Sequence, residues 1–238
     1  MLNFLQFFRI IVPCGCLSLL TACAVPGAAR SDRMDLSHTA NVGEAALKAG
    51  NPKIAMHVAK AILAQNPDDP IALTIASTAA WQEERFAEAA DYARHAVRLA
   101  PHSAEARLAL GRAYDRSDPT QALKEFGKAY QLAPDRVATA IDYGVASLQN
   151  GYTEKGIVVL RDAVALHPDS NEARFDLALG LSVTGRHSDA VKAVEMLKPM
   201  AGRKDAPALY KSAYAYAAKQ AGIPVDQAMI AKATTGGG

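Results

Sequence analysis

A repeat of about 34 residues constrains the fold of this chain more than any other feature. Four prolines, Pro67, Pro101, Pro134 and Pro168, follow one another at spacings of 34, 33 and 34 residues. Each proline closes a similar phrase, such as AKAILAQNPDD in the first copy and RDAVALHPDS in the fourth. A fixed period of this length predicts an array of similar units that each pack mainly against their neighbours.

Small and apolar residues recur in the same register within each copy. The first column is Gly43, Ser77, Gly111, Gly144 and Ala178. The second column is Ala55, Ala89, Ala122, Gly156 and Ala190. The third column is Ile62, Ala96, Ala129, Ala163 and Leu197. Small residues at fixed positions predict close helix crossings, and a proline that closes each copy predicts the end of a helix. One residue is missing from the third copy, in the predicted turn around 117–119.

Each copy is therefore predicted to contain two amphipathic helices joined by a short turn. The third copy best resembles the tetratricopeptide repeat, through Leu110, Gly111, Tyr114, Ala122, Phe126, Ala129 and Pro134. This resemblance implies an all-α, right-handed solenoid of helix-turn-helix units, with five repeats over residues 36–202. We expect a partial repeat and C-terminal capping helices over 203–233, and a disordered tail over 234–238. The alternative is a non-repetitive, alanine-rich helical bundle.

The N-terminus carries a different signal. Residues 10–22, IIVPCGCLSLLTA, form an apolar run that is too short to span a bilayer, and Leu20-Thr21-Ala22-Cys23 follows at its end. This pattern resembles the lipobox of bacterial lipoproteins. The resemblance implies that residues 1–22 are a signal peptide and that Cys23 carries diacylglycerol and a further acyl chain such as palmitate. Residues 23–35 then form the lipidated cysteine and a flexible tether. The alternative is an ordinary secretory signal that is cut elsewhere.

Composition and motifs argue against several classes of function. The net charge is +2, with 26 Lys and Arg against 24 Asp and Glu, which gives no support for nucleic-acid binding. All three cysteines lie at or before position 23, so the repeats contain no thiolate metal site. The sequence has no glycine-rich phosphate loop, no His-Glu-x-x-His run and no Gly-x-Ser-x-Gly motif. We therefore predict a non-enzyme without a metal site, a cofactor or a small-molecule substrate.

The predicted functional site is a surface, namely the concave face formed by the first helix of each unit. Helical spacing from the small column places on this face Ile71, Thr74, Thr78, Trp81, Leu108, Arg112, Arg116, Ile141, Val145, Leu148, Phe175, Leu179, Tyr210 and Tyr214. The strip is mostly apolar, as partner-binding grooves are, with Trp81 as the expected anchor and the two arginines at a wet rim. The alternative is that these side chains pack on one another or under the C-terminal helices.

The combination of a lipobox and a repeat array resembles the lipoproteins of the tight-adherence (Flp) pilus system. The resemblance implies an outer-membrane protein on the periplasmic face that acts as a pilotin or assembly factor for a secretin. Position 24 holds alanine rather than aspartate, and in lipoproteins of that class this favours sorting to the outer membrane. The alternatives are an accessory lipoprotein of type IV pilus or β-barrel assembly, and a regulatory partner of a cell-wall enzyme.

The lipobox makes a direct prediction about Cys23. The Cys23→Ser variant removes the thiol that would receive the lipid, so we expect an uncleaved or soluble precursor. Membrane fractionation and intact-mass measurement check this outcome, with Cys16→Ser as the matched control within the same segment. A Cys23→Ser protein with the wild-type mass and membrane distribution would exclude lipidation at this residue.

Overall fold

The computed structural model describes residues 36–203 and 205–225. The predicted signal peptide, Cys23, the tether, the capping helix expected after residue 225 and the C-terminal tail lie outside these residues. No helix in the described ranges is long and apolar enough to cross a membrane.

The described residues form eleven α-helices and no β-strand, which confirms the all-α prediction. The helices are α1 (Leu36–Lys48), α2 (Pro52–Gln65), α3 (Pro70–Gln82), α4 (Phe86–Leu99), α5 (Ala104–Tyr114), α6 (Pro119–Leu132), α7 (Val137–Gln149), α8 (Thr153–Leu166), α9 (Asn171–Ser182), α10 (His187–Ala201) and α11 (Ala208–Gln220). Consecutive helices pair into five units, and α11 occupies the place of the first helix of a sixth unit.

The turns between units are built in the same way in all four copies. At the first of them, the Asn66 N–H donates to the Ile62 carbonyl at 2.8 Å, and the Asn66 carbonyl accepts from the Asp69 N–H at 3.2 Å. The same pair of bonds recurs at Ala100, Ala133 and His167. All four residues precede a closing proline and adopt ψ between 69° and 90°, because the proline ring disfavours a helical conformation at the residue before it.

The residue two positions after each closing proline is the N-cap of the next helix. The Asp69 carboxylate accepts from the backbone N–H groups of Ile71 and Ala72, and Ser103 and Ser170 cap α5 and α9 with their hydroxyl oxygens. Such caps satisfy N–H groups that have no partner within the helix. One short phrase therefore ends one unit and begins the next.

The turns within four of the five units contain one residue in the left-handed region. Gly50, Gly151 and Gly185 supply it with φ of 70°, 81° and 74°, but the second unit has Glu84 at the same place with φ of 58°. A glutamate is more strained there than a glycine, because its Cβ approaches the backbone. The third unit lacks one residue, and none of its described turn residues has a positive φ. Its helix α6 is capped instead by Asp118, which accepts from the Gln121 N–H at 3.0 Å.

In the second and fourth units the first and second small columns face each other across the helix pair, as predicted. A Cβ atom added at Gly156 would lie 2.7 Å from the carbonyl oxygen of Gly144. A Cβ atom added at Gly144 would lie 2.6 Å from Cγ of Leu160. In the second unit the hydroxyl of Ser77 donates to the Ala89 carbonyl at 2.9 Å across the same crossing. The two backbones approach so closely that larger side chains have no room.

The order of packing gives the described units a concave face and an outer face. Besides its partner within the unit, each first helix packs against the first helix of the next unit, from α1 and α3 through to α9 and α11. The second helices of the described units form no comparable row of contacts with one another. The first helices therefore lie on the inner, concave side, and the second helices form the outer face.

Gly144→Leu tests the close crossing. The new side chain would overlap Leu160, so we expect a loss of stability of about 1–3 kcal/mol or more from overpacking. Urea unfolding followed by circular dichroism measures the change. Ala87→Leu on the exposed side of α4 adds three of the same four carbon atoms without a crossing and serves as the control. A Gly144→Leu protein as stable as this control would contradict the assignment.

Candidate functional site

The structure places the fourteen residues of the predicted strip at three different depths. Ile71 and Arg116 are exposed. The half-buried residues are Thr74, Thr78, Trp81, Arg112, Val145, Leu148, Leu179 and Tyr210. Four members are buried, with exposed fractions of 4–7%: Leu108, Ile141, Phe175 and Tyr214. The continuous apolar strip expected from the sequence is therefore interrupted.

The four buried residues belong to the core and are corrections to the predicted contact surface. Leu108 packs in a cluster with Phe126 and its neighbours, and the Phe175 ring lies 4.8 Å from the ring of Tyr210. Ile141 and Tyr214 lie in the large C-terminal core cluster. The physical reason is that first helices of adjacent units pack against each other, so these positions face a neighbouring helix.

Leu148 also has a packing role. Its Cγ would lie 2.8 Å from a Cβ added at Gly156, and its Cδ1 would lie 3.0 Å from a Cβ added at Gly180. The leucine therefore fills the space that these two glycines leave between α7, α8 and α9. A charge at position 148 would disturb the fold, so this residue is a poor test of partner binding.

Two predicted threonines direct their hydroxyl groups to their own helix. The Thr74 hydroxyl donates to the Pro70 carbonyl at 2.7 Å, and the Thr78 hydroxyl donates to the Thr74 carbonyl at 3.0 Å. Their donors are therefore used within α3. Just beyond the C-terminal end of α5, the guanidinium of Arg116 lies 5.3 Å from the ring centre of Phe86 in α4.

The open part of the concave face centres on Trp81, Arg112 and Asp142. The Arg112 guanidinium lies 5.6 Å from the ring centre of Trp81. Its Nε donates to Oδ2 of Asp142 at 2.6 Å. These three side chains come from α3, α5 and α7, so they connect three units. Arg112 is half-buried in this arrangement, and its guanidinium is held between Trp81 and Asp142.

An acidic region next to this group was missed by sequence reasoning. Asp142 and Asp176 occupy the same repeat position in α7 and α9, and Glu172 lies one turn before Asp176. Burial, together with the neighbouring charges of Glu172 and Asp142, raises the pKa of Asp176 to about 7. Burial also raises the pKa of Asp142, although Arg112 acts in the opposite direction.

The sequence does contain a signal for these aspartates. They directly follow Ile141 and Phe175, and the equivalent positions in the second and third units hold Ile75 and Ala109. Comparing charge column by column along the repeat would have found them. The prediction followed only the apolar members of each helix and so passed over the neighbouring carboxylates.

No metal site is evident in residues 36–203 and 205–225, where no group of three or more His, Cys, Asp or Glu side chains is arranged to hold an ion. The charged groups of the concave face instead make ion pairs and aromatic contacts, which are interactions of a recognition surface.

Comparisons with known proteins agree with this geometry. The tetratricopeptide repeat family profile matches residues 43–104 and 77–137. The crystal structure of a thermophilic tetratricopeptide-repeat protein from Thermus thermophilus is similar with a TM-score of 0.62 and 20% identity, over 76% of this chain and 98% of that one. The chain has the all-α tetratricopeptide-repeat fold. A crystal structure of MamA is similar with a TM-score of 0.54 and 20% identity, over 71% of this chain and 95% of that one. The search of curated proteins gave no match.

The pKa of Asp176 predicts how this tetratricopeptide array responds to pH. Because the pKa is about 7 in the folded chain and near 4 when unfolded, the folded state binds more protons between these values. Stability should therefore fall as the pH rises from about 5 to about 8. Asp176→Asn removes the buried charge and should stabilise the fold at about pH 8 by about 1–3 kcal/mol, with a smaller effect at about pH 5.

Thermal and urea unfolding at the two pH values measure this difference. Asp162→Asn on the exposed side of α8 is the matched control. The assignment fails if Asp176→Asn is no more stabilising at the higher pH than at the lower one.

Proposed function

We propose that this tetratricopeptide array is a lipid-anchored scaffold on the periplasmic face of the bacterial outer membrane, where it binds a segment of an envelope protein at its concave face. The repeat fold supports a protein-interaction role, and the lipobox at Cys23 supports the anchor. The observation that carries the proposal is the partly exposed group of Trp81, Arg112 and Asp142, which spans three units of the concave face.

The concave face offers a bound segment two different environments. At one end, exposed Ile71 and half-buried Trp81 present apolar surface that suits an aliphatic or aromatic anchor. Towards the other end, the exposed Glu172 lies near Asp176 and the Arg112–Asp142 pair, and a basic side chain placed there would favour the ionised form of Asp176. Aromatic residues beside arginine are common at the positions that dominate binding energy. A segment with an apolar anchor followed by basic residues fits this surface best.

For the biological setting we propose assembly of a Flp-type pilus, with a secretin or another assembly component as the partner. The resemblance of the whole layout to tight-adherence pilus lipoproteins supports this assignment. The alternatives are type IV pilus or β-barrel assembly, or control of a cell-wall enzyme. Neighbouring genes for a secretin, an ATPase and prepilins would favour the pilus. We propose no catalytic activity for the chain.

Trp81→Ala and Ile71→Asp test the concave face directly. Loss of the tryptophan anchor should weaken binding by about 2 kcal/mol or more, which is about a 30-fold rise in Kd. Ile71→Asp should weaken binding as well, because it places a charge in an apolar contact. Pull-down from envelope extracts identifies the partner, and calorimetry with the purified partner gives the Kd of each variant.

Leu166→Asp is the matched control, since Leu166 is an equally exposed apolar residue at the end of α8, a second helix. Unfolding curves establish that all variants are folded before binding is compared. If Trp81→Ala and Ile71→Asp bind the same partner as tightly as Leu166→Asp does, the concave face is not the binding site.

A further inference from the structure

A cleft lies on the outer face of the array, between α6 and α8, with the Tyr143 side chain from α7 in its wall. It consists of two adjoining cavities of about 480 and 520 Å³. Both cavities are lined by Gly127, Gln131, Tyr143 and Lys155. Volumes of this size are typical of sites for small ligands. The cleft is separate from the concave face described above, because it is formed mainly by second helices.

The cleft exists because the repeat pattern is broken at three positions that meet there. Tyr143 stands where the other units have Val42, Ala76, Leu110 and Leu177, and Tyr130 stands where they have Leu63, Val97, Val164 and Lys198. Gly127 stands where they have Lys60, Arg94, Arg161 and Glu195. The other units thus carry a long charged side chain at the position where this unit has none. The missing side chain leaves an opening beside the Tyr143 ring, which is otherwise contacted by Tyr130 and by the Lys155 ammonium.

The geometry around Gly127 agrees with this interpretation. A Cβ atom added there would lie 3.1 Å from Cε2 of Tyr143, so the ring rests directly against the glycine. The rings of Tyr143 and Tyr130 are stacked with their centres 5.4 Å apart. Because the two rings stack on each other, Tyr130 covers part of the Tyr143 ring, and the remaining surface of this half-buried ring lies in the wall of the cleft.

The charge of the cleft is positive. Lys124, Lys128 and Lys155 line it, and the Lys155 ammonium lies 5.0 Å from the ring centre of Tyr143. Two carboxylates lie at the cleft, Glu125 next to Lys128 and Glu154 in the lining, and each already pairs with an arginine. Glu125 is buried against Arg107 at 2.8 Å as well as against Lys128, and Glu154 pairs with Arg186 at 2.5 Å. Neither Lys124 nor Lys155 forms an ion pair within the described part of the chain.

We propose that this cleft binds a phosphate group carried on a sugar ring, either as a free sugar phosphate or as the headgroup of a glycolipid. The ring would lie against Tyr143, where the flat face of a sugar contacts an aromatic ring. The phosphate would lie between the ammonium groups of Lys124 and Lys155, because Lys128 is already paired with Glu125. Lysine binds phosphate as a point charge, and a dianion matches two cations better than one carboxylate does. The site needs no change in the repeat fold.

Calorimetric titration of the purified, signal-free chain with glucose 1-phosphate, glucuronate and glucose tests the chemistry. The three probes share a ring and carry a dianion, a monoanion and no charge. We expect glucose 1-phosphate to bind about tenfold more tightly than glucuronate, with glucose undetected. Vesicles of phosphatidylcholine with and without lipid A distinguish the lipid source, because only lipid A carries phosphate monoesters on a sugar ring. Binding in either arm supports the site, and binding in neither overturns it.

Gly127→Arg is the decisive variant, because it restores the side chain of Arg94 and Arg161 and fills the cleft while adding a positive charge. Non-specific attraction of an anion would then increase, whereas binding in the cleft should be lost. Lys155→Ala should weaken binding about fivefold or more, and Lys60→Ala on α2 should leave it unchanged as the matched control. Backbone NMR shifts on titration should cluster on α6, α8 and Tyr143.

Gly127→Ala adds one carbon atom and leaves the cavity open, so it should keep its binding. It therefore distinguishes loss of binding through filling of the cleft from loss through disturbance of the fold. Unfolding curves confirm that every variant is folded. Three results would each overturn the proposal: equal affinity for glucuronate and glucose 1-phosphate, retained binding in Gly127→Arg, or an acidic peptide such as hexaglutamate that competes as strongly as the sugar phosphate.

Discussion

The fold depends on the close approach of two helix backbones within every unit. Where Gly144 meets Gly156, an added Cβ would lie 2.7 Å from a carbonyl oxygen, and the Ser77 hydroxyl bridges the equivalent crossing in the second unit. This spacing explains the alanine-rich core, because most other side chains would force the helices apart. Alanine buries little apolar area per residue, so one unit alone gains little stability. Stability must come from stacking the units, which is why an array of several is required.

The elements that sequence predicted well are those set by local chemistry. Closing prolines such as Pro67 mark the helix ends because the ring restricts the residue before it, wherever the unit lies. The one-residue deletion in the third unit lies in the turn between α5 and α6, as the spacing from Gly111 to Ala122 predicts. Depth below the surface was predicted less well. Ile141 and Phe175 share a helix face with accessible residues, yet they are buried, since their exposure depends on the neighbouring first helix.

The candidate site shows a second limit of the same kind. The concave face was located from the repeat register, but its character was predicted from apolar residues alone. Arg112 was expected at a wet rim, and in the structure it joins Trp81 to Asp142 across two unit boundaries. No local pattern reveals such a bond, because its partners are 30 residues apart along the chain. Asp176 was overlooked although it shares a column with Asp142, since a column becomes informative only when its charges are compared between units.

In an array of similar units, recognition has to come from the positions where the units differ. Residues shared by all copies hold the helices together and so cannot distinguish one ligand from another. Trp81, Asp142 and Asp176 depart from their columns on the concave face, while Tyr143, Tyr130 and Gly127 depart from theirs on the outer face. The two groups lie on opposite faces, and α7 contributes to both, through Asp142 on one face and Tyr143 one residue later on the other. Adjacent residues of a helix point about 100° apart, so a single first helix can contribute side chains to two different surfaces.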